Sequence, residues 1–262
     1  MRHFFTQAGL QKFKGHCRSL TLFAFDYDGT LTPLTSKISE ARLAHKTQRL
    51  LEKLHRYVPI VIVSGRSISD LKKLCSFTPT FFIGNHGLEG LGVEGKLKRN
   101  FYQTCQKWKE VLLKVISNLQ GVELEDKKYS LAIHYRQTRH RVQMKRLILH
   151  ATSRLHPAPK IVFGKSVINL LPTSQFNKGV SLKRAMHYLK AKHAIYVGDD
   201  KTDEDVFCLS GNSILKIRVG RKNNSYANFY LKNYSEVNRF LNKALELLDI
   251  EDPEKVKGSK AD

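Results

Sequence analysis

Two aspartates, Asp26 and Asp28, end the apolar run Leu22 to Phe25 in the stretch LFAFDYDGTLTP. Carboxylates this close repel each other unless a cation or a shared proton offsets the charge, so the pair implies Mg²⁺ or a split in pKa. Either serves catalysis. With Mg²⁺ bound, Asp26 stays ionised as a nucleophile toward phosphorus, while Asp28 protonates the leaving oxygen and later activates water. The turn at Gly29 and Thr30 offers backbone N–H groups to phosphate oxygens. A plain Asx-rich turn would also explain two acids after a strand, so the partners downstream carry the argument.

Those partners stand at further strand tips. The segment PIVIVSGR ends at Ser64, Gly65 and Arg66, where Ser64 suits either a phosphate oxygen or the N-cap of a helix from Ser67 to Cys75. Phe81 to Gly84 runs into Asn85, His86, Gly87, Leu88 and Glu89, a polar loop expected at the same sheet edge. Lys178 and Gly179 open a helix after SQFN. A lysine there opposes the helix dipole, and that cost suggests a function: its ammonium would neutralise the acids and the transferring phosphoryl group. In HAIYVGDDKTDEDVF the acids Asp199, Asp200, Asp203, Glu204 and Asp205 follow an apolar strand. Asp199 is the hard oxygen ligand expected to complete a Mg²⁺ site, whereas Glu204 and Asp205 suit the first turn of a helix.

The elements that position these groups form a doubly wound, Rossmann-like α/β core. Short apolar runs bounded by turn signals fit parallel strands buried on both faces, and ligands bind beyond the carboxyl ends of such strands. Residues from Ser39 to Tyr57 have a helical apolar spacing, and Ile214 to Val219 and Ser235 to Leu248 supply a last strand and helix. From Gly92 the pattern changes to helix 101–119, strand 129–135, helix 139–155 and a hairpin about Gly164 and Lys165. Strands with two long helices argue for an inserted α+β cap whose open sheet face covers the site. Glu125, Lys127, His134 and Arg136 fall on or beside one strand pair there. The expected division is core 1–91, cap 92–173, core 174–250 and a disordered polar tail 251–262.

Composition limits the function classes. The chain has 262 residues, 41% of them hydrophobic, with no apolar run near the ~18 residues of a membrane span. Its first residues lack the apolar stretch of a secretory signal, and Cys17, Cys75, Cys105 and Cys208 are scattered without metal spacing, so a cytoplasmic, monomeric protein with reduced thiols is expected. Net charge is +22, and residues 92–165 hold 16 Lys and Arg against 5 Asp and Glu, which suits a basic lid over an anionic site. A basic nucleic-acid-binding protein is the rival from another class. The cations are dispersed and no recognition motif is present, so no specific nucleic acid is expected.

Taken together, DYDGT, SGR, NKG and GDDKTDED resemble the haloacid dehalogenase-like phosphohydrolases over the whole chain. Within them, DYDGTLTPL, SGR, GNHGLE and GDDKTDEDVF are most similar to trehalose-6-phosphate phosphatases. The resemblance implies Asp26 as nucleophile, Asp28 as general acid and base, Ser64 and Lys178 on the phosphate, and Mg²⁺ on Asp26, the Asp28 carbonyl and Asp199. It also implies Asp200 and Asp203 supporting the metal, and Arg66, the Asn85-His86-Gly87 loop, Glu125, Lys127 and Arg136 near the sugar. The family's E-[IL]-[RK]-P segment is here Asn169-Leu170-Leu171-Pro172, so Asn169 takes the place of a sugar-reading carboxylate. Trehalose 6-phosphate is the leading substrate, with sucrose 6-phosphate or a glycosyl-phosphoglycerate as alternatives.

Overall fold

The computed structural model describes residues 1–18, 20–35 and 40–250. The chain opens with β1 (Arg2–His3) and α1 (Gln7–His16), then β2 (Thr21–Phe25), α2 (His45–His55), β3 (Ile60–Val63), α3 (Ile68–Leu74) and β4 (Phe81–Ile83). Next come α4 (Gly95–Ile116), β5 (Glu123–Asp126), β6 (Leu131–His134), α5 (Arg141–Thr152), β7 (Lys160–Gly164) and β8 (Val167–Leu171). The chain closes with α6 (Lys178–Tyr188), β9 (His193–Gly198), α7 (Glu204–Phe207), β10 (Ile214–Val219), β11 (Phe229–Leu231) and α8 (Ser235–Ile250).

Seven strands form a parallel sheet in the order β1-β11-β10-β9-β2-β3-β4. Every residue of β2 and β3 is buried, because each face of the sheet is covered. Phe23, Phe25, Ile60 and Ile62 pack with side chains of α2, α3 and α8. Leu22, Ala24, Val61 and Val63 pack on the opposite side with Leu182 and Ala185 of α6 and Phe207 of α7. This period-two split sends alternate residues of one strand into two cores. The chain leaves β2 toward β3 and β4, then returns to β9 on the other flank. Strand order therefore reverses between β2 and β9, and their carboxyl ends border a crevice suited to a ligand.

The other sheet is antiparallel, in the order β5-β6-β8-β7. Leu131, Ile133, Ile168 and Leu170 face Trp108 and Leu112 of α4 and Ile148 of α5. Pleating turns the cross-strand row Glu125, Ala132, Asn169 and Val162 to the other face. A doubly wound core with an α+β cap is thus the observed architecture.

Several elements differ from expectation. β1, α1 and β11 are additional, while β5 supplies the second strand of the pair expected about Glu125; Phe4 and Phe13 carry the N-terminal segment into the main core, with Thr6 capping α1 at Gly9 N. α2 begins at His45, because Ala41 and Leu43 are buried from a loop rather than from a helix. Burial alone produced their apolar spacing. α4 spans Gly95–Ile116 instead of 101–119. Ser39 and the tail 251–262 lie outside the described residues. Among the described residues no helix is long and apolar enough to cross a membrane.

Candidate active site

Asp26 leaves the end of β2 and donates its backbone N–H to the Val197 carbonyl of β9 at 2.9 Å. That bond places its carboxylate over the crevice, 4% exposed. From the start of α6, the Lys178 ammonium donates to Asp26 Oδ1 at 2.6 Å and to Asp203 Oδ1 at 2.8 Å. Burial opposes the charge on Lys178, but Asp203 and Asp26 outweigh it and hold its pKa above the usual range. The unfavourable position at the helix start is thereby compensated by two acids, while Asn177 caps α6 by accepting from Val180 N at 2.8 Å.

Asp203 accepts three hydrogen bonds. Besides Lys178 it accepts from the Tyr196 hydroxyl at 2.6 Å on Oδ1 and from Asp200 N at 2.8 Å on Oδ2. Carboxylate oxygens of Asp26, Asp199 and Asp203 lie within 4.8 Å of one another. Burial raises Asp26 well above the usual carboxylate range, Lys178 notwithstanding, and raises Asp199 to about 7 with help from Asp203. Ionised together, three converging acids with one ammonium would carry excess negative charge, and hard oxygen donors in this setting fit a divalent cation such as Mg²⁺ in place of the protons. Asp203 accepts three hydrogen bonds against one from Lys178 on Asp26, so Asp26 and Asp199 are the side chains with more room to hold such an ion. Arg218 secures the loop below, donating to the carbonyls of Asp199 and Asp200 and to Glu204.

Asp28 lines the same cavity as Asp26. Both its oxygens accept from Arg66, Oδ2 from Nε and Oδ1 from Nη2, each at 2.6 Å. Gly29 has φ +82°, and a Cβ there would stand 2.2 Å from Asp199 Oδ2. Its N–H donates to the Thr32 carbonyl at 2.8 Å, so the expected N–H contact to phosphate is replaced by a spacing role. Ser64 is buried with its Oγ accepting from Arg66 N at 3.2 Å, and the N-cap of α3 is Ser67 instead.

The Asn85 loop joins core to cap. Asn85 Nδ2 donates to Glu89 at 2.7 Å and to the Lys127 carbonyl at 3.1 Å, and its Oδ1 accepts from Ser130 at 2.6 Å. These bonds occupy the amide on scaffold rather than ligand. Gly87, at φ +103°, leaves room for Ser181, whose Oγ would be 2.4 Å from a Cβ. His86 packs its ring against Gly65, and its buried Nδ1 has no partner. Burial and the charges of Lys127 and Lys178 hold His86 well below its usual range, hence neutral.

On the cap side Lys127 Nζ reaches the Gly65 carbonyl at 3.2 Å and Asn169 Oδ1 at 3.5 Å. Glu125 Oε2 bonds His134 Nε2 at 2.7 Å; burial raises its pKa, but His134 and Lys127 outweigh that and keep it low. A cavity of about 620 Å³ runs between the two walls. Asp26, Asp28, Ser64, Lys178, Asp199 and Asp200 line one side and Glu125, Lys127, His134, Arg136 and Asn169 the other. Tyr196 and Arg218 were not singled out from sequence. A tyrosine inside a fully buried strand must satisfy its hydroxyl, and that was the available signal.

A parallel sheet with a capped switch point and acids at its centre is the haloacid dehalogenase-like fold. A solved phosphatase of the HAD superfamily from Bacteroides thetaiotaomicron shares it at TM-score 0.54 and 14% identity, covering 88% of this chain and 95% of that one. The chain belongs to the trehalose-phosphatase family, whose model matches residues 24–233. The C-terminal domain of Candida albicans trehalose-6-phosphate phosphatase superposes with TM-score 0.75 at 23% identity, covering 90% of this chain and 95% of the other. Trehalose-phosphate phosphatase B of Arabidopsis thaliana is 27% identical over 252 residues, which is 84% of this chain and 65% of the relative. The chain thus spans slightly under two thirds of that relative's length.

Proposed function

We propose that the protein is a Mg²⁺-dependent phosphomonoester hydrolase that removes phosphate from a sugar phosphate, with trehalose 6-phosphate as the leading substrate. The observation that carries this reading is the Asp26–Lys178 pair, at 2.6 Å on the cavity floor opposite the polar cap row. The names of the plant and fungal relatives supply the sugar.

In this reading Asp26 attacks phosphorus and forms an aspartyl phosphate while Asp28 gives a proton to the departing sugar oxygen. Asp28 then takes a proton from the water that attacks the same phosphorus, regenerating Asp26 and releasing inorganic phosphate. Lys178 and the Ser64-Gly65 loop hold phosphoryl oxygens. Asp26, Asp199 and the Asp28 carbonyl, with Asp200 and Asp203 behind them, would hold Mg²⁺, which would supply positive charge to offset that on those oxygens. Glu125, Lys127 and Asn169 face the sugar, with His86, Arg66 and Arg136 at the edges of the same cavity.

Asn169 favours a second reading, in which the leaving group is that of sucrose 6-phosphate or a glycosyl-phosphoglycerate. An amide offers one acceptor oxygen and no charge where the family has a carboxylate. The test is phosphate release with Mg²⁺ from a panel of these compounds and hexose phosphates. Strong preference for trehalose 6-phosphate supports the first reading, and preference for another compound the second. Absence of turnover on all of them overturns both. Asp26→Asn should abolish release while the far-ultraviolet dichroism stays native; substantial residual activity would refute the nucleophile assignment.

A further inference from the structure

In the sheet register β10 sets Arg218 beside Gly198 of β9, the residue before Asp199. Arg218 is 7% exposed, so its guanidinium lies inside the fold rather than in water. Nη1 donates to the Asp200 carbonyl at 3.0 Å and to Glu204 Oε1 at 3.2 Å, while Nη2 donates to the Asp199 carbonyl. Two successive carbonyls and one carboxylate thus meet on a single planar fork. Glu204 Oε2 in turn accepts from Tyr226 N at 3.1 Å, which ties the acid to the loop between β10 and β11. Nε is buried without a partner, a cost that an arginine serving only solubility avoids by keeping its head in water. Glu204 opens α7, but a helix of four residues has little dipole for an acid to offset. Its bridge to Arg218 is the better account of it.

The Asp199 side chain has little else to aim it. Thr30 Oγ1 reaches its Oδ1 only at 3.5 Å, and its link to Asp26 needs a proton held between the two carboxylates. Main-chain position therefore decides where this carboxylate points, and Arg218 holds the main chain. We propose that Arg218, itself held by Glu204, is a positioning residue for the divalent cation, fixing the backbone from which Asp199 reaches the site. The inference rests on the Mg²⁺ reading above and adds a source of affinity outside the ligand set. Charge alone predicts the opposite sign. A guanidinium near the acids repels a cation, so if only its charge mattered, removing it would tighten Mg²⁺ binding. Positioning predicts a loss.

The test titrates magnesium chloride calorimetrically into the full chain and into its Arg218→Met, Arg218→Lys and Glu204→Gln variants at pH 8, after dichroism has shown each to be folded. The dissociation constant should rise about tenfold in Arg218→Met, as when a group that orients a metal ligand is lost. Arg218→Lys, with one ammonium in place of two fork nitrogens, should recover only part of that affinity. Glu204→Gln keeps an oxygen for Nη1 and should show a smaller rise. Joining Glu204→Gln to Arg218→Met should add nothing, since both changes act through one contact. Unchanged or tighter binding in Arg218→Met overturns the proposal. So does a melting temperature in EDTA that falls with no change in the dissociation constant, the result of a purely structural arginine. If Arg218→Met does not fold, the other two variants decide, and unchanged affinity in both overturns the proposal. No Mg²⁺ binding by the unaltered chain would overturn the cation reading itself and the inference with it.

Discussion

The Arg66 guanidinium holds both carboxylate oxygens of Asp28, each at 2.6 Å, 38 residues away in sequence and at the tip of the adjacent strand. Two parallel bonds of this kind fix orientation as well as distance. Each Asp28 oxygen keeps a lone pair that Arg66 does not use, so in the proposed mechanism the clamp would aim the acid at the leaving oxygen or the water. Replacing Arg66 by Ala leaves Asp28 without that clamp. We expect kcat to fall about 10- to 100-fold with the fold retained, read by steady-state kinetics alongside dichroism. An unchanged kcat would show that Asp28 does not depend on the clamp.

Tyr196 is linked to Asp26 through three hydrogen bonds. Its hydroxyl donates to Asp203 at 2.6 Å, and Asp203 in turn holds Lys178 against Asp26. Tyr196→Phe deletes one oxygen and leaves the ring in place. A hydrogen bond to a charged acceptor contributes about 1.5–3 kcal/mol, so chemical denaturation should show a loss of that order. Because Lys178 is then less firmly placed, kcat should drop about tenfold with KM nearly constant. A stability loss with unaltered kcat would restrict Tyr196 to a structural role.

In the proposed site a proton and a metal ion would compete at Asp199. Burial and Asp203 push its carboxyl up to about 7, and Asp26 is raised in the same direction. The folded protein therefore keeps a proton that the unfolded chain gives up near pH 4, and without metal this contribution to stability is lost as pH rises from about 4 to about 7. Mg²⁺ bound at the proposed site would replace that proton, so its binding should tighten over the upper part of the same range. Melting in EDTA and in Mg²⁺ at pH 5.5 and pH 8 provides the check. The Mg²⁺-induced rise in Tm should be larger at pH 8, and equal rises would contradict the assignment.

Asn85 ties the cap to the core through Lys127 and Ser130. Asn85→Ala strands these buried partners and should destabilise the protein by about 1–3 kcal/mol in urea unfolding. Lys127 would also lose its seat beside Gly65, so KM should rise more than kcat falls. A larger effect on kcat would instead place Asn85 at the chemistry.

Sequence alone was enough for the parallel core and its acids. Apolar runs ending in DYDGT, SGR and GDDKTDED are local signals, because burial on both sheet faces and polarity at the strand tips leave their mark within a few residues. Lys178 was legible for the same reason, as a charge on the wrong end of a helix. Partnerships were not legible, since they join residues far apart along the chain. That Asp203 is occupied by Lys178 and Tyr196, that Arg66 clamps Asp28, and that the amide of Asn85 serves the scaffold all depend on strand order and sheet register. A strand about Glu125 was legible, but the bounds of β5 were not, because its residues, ELED, are polar where they face the cavity and solvent. The sequence by itself determined which groups could do phosphoryl chemistry. Only the tertiary structure decided which of them are left to do it, because a side chain's availability is set by the neighbours that packing brings to it.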